Sequence, residues 1–561
     1  MGSVISRAKL IVGALFFLNN TLNTLSKRLK KSPGLPVPNP TLPFWTVPKS
    51  PISTGSKVLP QHTDVVIIGS GITGTSVAYN LLKLQPSLRV VILEARDVCS
   101  GATGRNGGHI NPPLFHDYEE LKERYGETIA KRMIHFRLAH LTEILAISKD
   151  EGILDVSQCR EIVHVDVHTT HETYQEAKDL LKVWKADMPN EAADFQADEG
   201  PEASQKFGVS SRTVGCISGG GGAVHPYRFV TSLLSKLLER HTEKYDLRYI
   251  SIMKHVLSIV PSPSFVVATH TPCITVMPPS QATPYYTLKT LDRTLTASHV
   301  IHATNGWCSH LLEPMREKII PARGTMSAQR PGTSLSKSTL DGDRSFVFYT
   351  GKIGYDYLTQ LPNGDKELMF GGGWASGLDI ALTTDIGISD DSDFNVSVAS
   401  HLSGALPLHF GAENWGEEMV IAPPKERRSE DEVQWGRSRT KAQWGGILGL
   451  SADGLPWVGR LPIKVSGRPE PPVTSTPTSN PKSIVKEDDQ APRPLTATPG
   501  EWIAAGYTGE GMVHAWMSGK ALAYMVLDDD ESIREWFPEI LRVTEKRWKK
   551  ADVADFLSRY F

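Results

Sequence analysis

Apolar positions along this chain fall into two kinds of run. The short unbroken runs Asp64-Val-Val-Ile-Ile-Gly69 and Arg89-Val-Val-Ile-Leu-Glu94 have the length and β-branched content of buried strands. Between them, Gly74 to Leu84 reads as a helix, which completes a βαβ unit. Leu121, Tyr125, Ile129, Met133, Phe136, Leu141 and Ile144 recur at helical spacing and predict one long amphipathic helix over 118–147. Residues 172–187 and 228–241 predict two more helices, and 512–527 another near the end. Glu161 to His168 alternates as a strand does, and Gly219 to Gly222 reads as a turn. Residues 249–295, rich in Val, Ile, Thr and Tyr with Pro-bounded turns, predict a β-rich second region. The fold class is therefore α/β with α+β character.

Composition narrows the function classes. At 561 residues and 40% hydrophobic content the chain can bury a large core divided among two to four domains. The 60 basic and 62 acidic residues balance, so nothing displaces counterions from a nucleic acid, and that class of partner is excluded. Cys99, Cys159, Cys216, Cys273 and Cys308 are far apart and never form CxxC pairs, which gives no metal site and favours a reducing compartment. Residues 466–500 hold eight prolines among Ser and Thr and read as a disordered surface insertion.

The N-terminus is one-sided in charge. No Asp or Glu precedes Asp64, while Arg7, Lys9, Lys27, Arg28, Lys30, Lys31, Lys49 and Lys57 do. The apolar stretch Leu10 to Leu18 is too short to span a bilayer. A signal peptide, an acid-poor transit peptide, an interfacial anchor with a myristoylated Gly2 and a solvated tail all remain open. Compartment is accordingly left open within the cell, membrane-associated or mitochondrial. The Pro-rich stretch 32–60 reads as an extended arm wrapping the domain that follows.

The chemistry centres on Gly69-Ser70-Gly71-Ile72-Thr73-Gly74. Glycines let the backbone turn tightly and approach a pyrophosphate, the following helix offers free N–H groups, and Glu94 can accept from ribose hydroxyls. That acid argues against a 2′-phosphate, which disfavours NADP and leaves FAD and NAD open. Four further motifs follow in order: Arg96 to His109, rich in small residues; Val300-Ile-His-Ala-Thr-Asn-Gly-Trp307; Ser451-Ala-Asp-Gly-Leu-Pro-Trp-Val-Gly459; and Gly506-Tyr-Thr-Gly-Glu-Gly-Met512.

With these motifs in this order, the chain from Asp64 to about Leu527 resembles the FAD-dependent oxidoreductases of the D-amino-acid oxidase and sarcosine oxidase superfamily. The likeness is to its fungal members and the γ-glutamylputrescine-oxidase-like branch, with its Ser-Gly-Arg-Asn-Gly-Gly type of loop. The resemblance implies a Rossmann-like FAD-binding domain with a parallel sheet, interleaved with a β-rich substrate domain. Its expected parts are a basic segment and arm at 1–60; FAD-binding pieces at 61–160, 216–248, 301–325, 441–465 and 501–561; a β-rich segment at 249–300; and substrate pieces at 161–215 and 326–440. The insertion at 466–500 interrupts the last of the FAD-binding pieces.

The resemblance also implies that Gly69, Gly71, Ile72, Thr73, Gly74, Glu94, Ala95 and Arg96 hold the ADP half of FAD. Ser100, Gly101, Thr103, Gly104, Arg105, Asn106, Gly107 and Gly108 would pass the ribityl chain and isoalloxazine. Thr304, Asn305, Gly306 and Trp307 would close on the pyrophosphate side, and Gly509, Glu510, Gly511 and Met512 would meet the pyrimidine edge. The helix expected from Met512 would point its N-terminus at flavin N1 and O2. Relatives that attach FAD through cysteine carry it where this chain has Trp444-Gly445-Gly446-Ile447, so noncovalent FAD is expected.

Arg105 is a candidate for the flavin face or a substrate carboxylate, with a structural pairing inside its loop as the alternative. His109 and His225 are candidate bases against ordinary structural roles, and His225, in the family-like segment Val224-His-Pro-Tyr227, is the better placed. Tyr355 and Tyr357 share a face of a strand in the region where the family builds its substrate sheet. Arg323 matches a family turn near flavin or substrate. The family lysine that assists oxygen reduction has no matching context at Lys337 or Lys352. The expected activity is oxidation of a C–N bond of an amine or amino acid to an imine, with oxygen or another electron acceptor. An NAD-dependent dehydrogenase and a non-catalytic, membrane-associated flavin-binding protein are the alternatives.

Overall fold

The computed structural model describes residues 2–55, 59–241, 264–280, 283–335, 340–374, 384–418, 435–471 and 496–557. Two sheets organise it. The first runs in the order Trp457–Arg460, Gly500–Ala505, Thr294–His302, His62–Ile68, Val90–Leu93, Phe265–Ala268. Its central strands are parallel and almost entirely buried, as strands with helices on both faces must be. Helix Ile72–Leu84 crosses from His62–Ile68 to Val90–Leu93 and packs between Pro226–His241 and Ala515–Val526. Gly74 allows its start to sit this close to the first strand: a Cβ there would lie 2.0 Å from the Gly69 carbonyl oxygen.

The second sheet runs Thr440–Ser451, Ile319–Gln329, Leu368–Gly371, Asp356–Gln360, Arg344–Tyr349, Arg160–His168, Gly215–Ala223, His109–Ile110, with Gln196–Glu199 beside Gly215–Ala223. One face packs Val165, Val167, Phe346, Phe348, Leu358, Leu368 and Phe370 against helix Val396–Phe410. The other face looks towards the first sheet.

Several expectations change. The long helix is two, Leu114–Tyr125 and Glu127–Asp150, parted at Gly126, whose φ of 85° breaks the helical path. The glycine run at 219–222 lies inside a strand instead of forming a turn. Side-chain crowding explains it: a Cβ on Gly219 would meet the Phe195 ring at 2.6 Å, and one on Gly222 would meet Leu141 at 2.3 Å. That strand belongs to the second sheet, so the return to the dinucleotide unit begins at Pro226, not at residue 216. Phe265–Ala268, Thr275–Met277 and Tyr286–Lys289 extend the first sheet and do not form a second β-rich region. The end helix starts at Ala515, after a tight turn at Gly511–Val513.

The N-terminus is helical over Gly2–Leu29, with Leu25 and Leu29 packed on Ile320, Ala322, Ile386 and Leu450. Among the described residues no helix is long and apolar enough to cross a membrane. Most of the Pro- and Ser-rich insertion, 472–495, and Lys337 lie outside the described residues.

Candidate active site

A cradle opens at the carboxyl ends of the parallel strands. It is lined by Gly69, Gly71, Ile72 and Thr73 from the first turn, Glu94 to Arg96 after the second strand, and Ser100, Gly101, Thr103 and Asn106 from the loop that follows. Thr304, Asn305 and Trp307 line it after strand Thr294–His302, and Gly509, Gly511, Met512 and Ala515 close the far side. Four segments far apart in sequence thus meet here. Of the other candidates, Gly74, Gly104, Arg105, Gly107, Gly108, Gly306 and Glu510 stand behind this lining rather than in it.

Local hydrogen bonds set the lining. One Glu94 carboxylate oxygen accepts from Ser70 N at 3.1 Å and Ser70 Oγ at 2.6 Å, and the other accepts from Arg96 N at 3.0 Å. Thr103 Oγ1 accepts from Ile72 N at 3.0 Å, which ties the small-residue loop to the glycine turn. Thr73 and Tyr507 join through their hydroxyls at 2.9 Å.

The chemistry of the lining fits a flavin dinucleotide. Thr304 Oγ1 and Trp307 Nε1 are buried in the wall with no partner among the described residues, an arrangement that leaves polar atoms for a ligand to satisfy. Asn305, at φ 42°, is held there by Gly506 N, which donates to its Oδ1 at 3.0 Å. The start of helix Ala515–Val526 faces the same space. Cys273 is the one lining cysteine, and burial pushes its thiol up to about 12.

The arm contributes a wall that the glycine motif does not announce. Gly34, Leu35 and Pro36 line the cradle. Beyond them Thr41 bonds to Asp391 and Gly445, and Val37 accepts from Arg96. Arg96 forks on to Asp391 at 2.8 and 3.0 Å. Asp391 carries no recognisable motif, so only its spatial partners reveal it.

The remaining candidates divide. Arg105 is 3% exposed and donates to Ser100 O at 2.8 Å, Gly445 O at 2.7 Å and Thr41 Oγ1 at 3.1 Å, with Asp391 at 3.5 Å; burial draws it down to about 10. Its guanidinium is a junction between loop, arm and sheet, spent on these protein partners. His225 caps helix Pro226–His241, accepting from Arg228 N at 3.3 Å, and its ring packs edge-on against Trp45. Arg323 bonds to Asp385 at 2.9 Å and lies on the opposite face of its strand from Met326. Lys352 is a surface residue paired with Glu172.

Tyr355 and Tyr357 do come together, with ring centroids 6.3 Å apart, and the Tyr357 hydroxyl donates to Met326 Sδ at 3.1 Å. Tyr357 lies against Gly107 so closely that a Cβ there would meet its ring at 2.8 Å. Beside it, His109 Nδ1 faces Asn111 Nδ2 at 3.1 Å, while its Nε2 is buried without a partner among the described residues. Burial lowers His109 to about 3, so the ring is neutral. Asn111, His164 and Asp166 continue this polar face; the alternation of residues 161–168 was legible in the sequence, its partners were not.

Residues 64–525 match the family described as FAD dependent oxidoreductase, DAO. γ-Glutamylputrescine oxidoreductase of Escherichia coli (strain K12) is 23% identical over 313 residues, 55% of this chain and 64% of that protein. The chain spans less than two thirds of the length of the curated relatives it matches. Among solved structures, glycine oxidase from Geobacillus kaustophilus aligns over 87% of this chain and 99% of its own, at TM-score 0.55 and 16% identity. L-proline dehydrogenase from P. horikoshii aligns over 88% and 100%, at TM-score 0.55 and 14% identity. These two likenesses show the fold. The family match runs from the first strand of the dinucleotide unit into the helix at the far side of the cradle and takes in every segment that builds it except the arm: this chain belongs to the DAO family of FAD-dependent oxidoreductases.

Proposed function

We propose that this chain oxidises a C–N bond of an amine or amino acid to an imine, which water then hydrolyses, with noncovalent FAD and with oxygen or another electron acceptor. FAD is the family's cofactor, so the NAD-dependent alternative falls away. The observation that carries the reading is the cradle with its unpartnered Thr304 Oγ1 and Trp307 Nε1, set beside a polar sheet face at Gly107.

Bound FAD would supply the two-electron acceptor for a hydride leaving the carbon next to nitrogen. The chain's own part is positioning. Glu94 and the glycine turn fix the nucleotide end, Trp307 and Thr304 the middle, and the start of helix Ala515–Val526 offers N–H groups at the far side. Neutral His109 presents an imidazole nitrogen beside the Gly107 loop, where it can orient a substrate nitrogen as a hydrogen-bond partner.

Two of the relatives' names support an amine or amino-acid substrate. One solved neighbour is a glycine oxidase, and the curated relative acts on γ-glutamylputrescine by name. Peripheral membrane contact through the first helix is a further part of the proposal, supported by Val12 and Phe16, which are 65% and 67% exposed on a helix with basic residues in its last turn.

Anaerobic mixing of purified protein with an amine panel, followed by acid precipitation, tests the core reading. Bleaching of the flavin band by at least one amine, with flavin released into the acid supernatant, is the expected outcome. A colourless protein sinks the cofactor assignment, and flavin that stays with the pellet sinks its noncovalent attachment.

A further inference from the structure

The sheet face beside the Gly107 loop carries an arrangement outside the cradle. His164, Asp166 and His168 alternate on to this face from strand Arg160–His168. His168 stacks on Tyr349 with centroids 4.9 Å apart and planes at 7°. Tyr349 lies 5.8 Å from Tyr355, and Tyr355 lies 6.3 Å from Tyr357, which ends at Gly107. A row of rings therefore leads from His168 to the loop where the flavin ring is expected.

Carboxylates gather around that row. Asp166 accepts from His116 Nε2 at 3.0 Å and His164 Nε2 at 2.9 Å; burial opposes its charge, but the two imidazoles outweigh it and hold the carboxyl well below its ordinary range. Tyr349 Oη in turn lies 3.3 Å from His116 Nε2. Helix Leu114–Tyr125 brings Asp117, and the turn before Gly511 brings Glu510. Although Gly509 and Gly511 line the cradle, the Glu510 side chain leaves it for Arg137, which contacts Asp117 at 2.9 Å and Glu510 at 3.3 Å.

Both acidic side chains stay about one third open, 35% for Asp117 and 31% for Glu510. Burial raises the Tyr349 hydroxyl well above its ordinary value, and the charges of Asp166, Asp117 and Glu510 raise it further, so all three are felt at one ring. Asp166 and Asp117 carry the negative charge at neutral pH; Glu510, pushed up to about 7 by burial and by Asp117 beside it, adds its charge as pH rises, and the Arg137 guanidinium is shared between Asp117 and Glu510. A separate observation points to a ligand: His168 is 1% exposed, burial keeps it neutral at about 4, and both its ring nitrogens lack a partner among the described residues.

Aromatic faces and open carboxylates attract a cation and repel a carboxylate. We propose that this sheet face receives the protonated, non-reacting end of the substrate, so that the enzyme selects an alkylamine carrying a second cationic nitrogen over an amino acid. The inference rests on the amine-oxidising reading above and names its substrate class. Asp117 and Glu510 are the specificity-determining residues, acting through charge on the remote end.

The test uses FAD-loaded full-length protein and three compounds that differ only at that end: 1,4-diaminobutane, butylamine and 4-aminobutanoate. Anaerobic flavin bleaching gives an apparent Kd and a limiting rate for each. The diamine is expected to bind at least tenfold more tightly than butylamine, and 4-aminobutanoate more weakly still. In Asp117→Asn and Glu510→Gln, each checked for full flavin content, the diamine-to-butylamine preference should fall towards one. Bleaching without preference for the dication, or a preference that survives both substitutions, overturns this assignment while leaving the amine reading intact. Flavin that none of the three reduces but another member of the amine panel does also overturns it alone, and flavin that no member of the panel reduces overturns both. The wild-type comparison decides the matter even if a variant fails to fold.

Discussion

At the scale of single residues, the glycines and the polar groups behave differently. Gly509 has φ 89° and open space where a Cβ would stand, so valine there strains the backbone and projects into the cradle wall. A strain of about 1–3 kcal/mol is enough to weaken flavin retention roughly tenfold. Gly509→Val should therefore purify with little flavin, read as the ratio of visible to ultraviolet absorbance, and full stoichiometry would count against the site. Glycines were legible in the sequence because the constraint on each is local. Arg105 and His225 were not, since what they do is decided by Thr41, Gly445 and Ser157, all distant in the chain from the residue concerned. A guanidinium free for substrate and one spent inside a loop look alike until those partners are placed.

Secondary-structure elements carry their own titration. Asp356, at the start of strand Asp356–Gln360, accepts from His401 at 2.7 Å and His409 at 3.0 Å on helix Val396–Phe410. Burial opposes the charge, but the two imidazoles hold Asp356 down to about 2, and the hydrogen bond to Asp356 raises His401 above its ordinary 6.5. For His401 the folded value is the higher one, so its stabilisation is complete below 6.5 and fades as pH rises through the raised value. For Asp356 the folded value is the lower one, so its stabilisation is present above 3.8 and fades as pH falls towards 2. Buried neutral imidazoles such as His109 and His168 act in the opposite sense, so the pair is read by difference: the stability advantage of wild type over Asp356→Asn, roughly 3 kcal/mol below pH 6.5, should shrink as pH rises through the raised His401 value. A difference, followed by melting temperature, that stays constant across that range would discard this account. The elements themselves were mostly legible from periodicity. The failures were at Gly126 and at the glycine strand 215–223, where neighbouring side chains, not local propensity, settle the conformation.

Across the whole molecule, the two sheets are threaded by a chain that crosses between them repeatedly, so no contiguous stretch holds either layer. Motif order suggested that interleaving, while the allotment of residues 215–223 and 265–289 needed the strand partners. The helix Gly2–Leu29 touches the body through Leu25 and Leu29 and leaves Val12 and Phe16 outside. Full-length protein is expected to sediment with anionic vesicles, and protein lacking residues 1–20 to stay in the supernatant; equal distribution of the two would dismiss membrane contact. The wall that Gly34, Leu35 and Pro36 add to the cradle has a temporal meaning as well. Its anchors, Asp391 and Gly445, leave the ribosome hundreds of residues after the glycine turn, so the arm has nothing to fasten to until most of the chain has been made. Capture of the dinucleotide is thereby a late event in the life of a nascent chain, and the βαβ unit that announces the cofactor is complete long before the chain can keep hold of it.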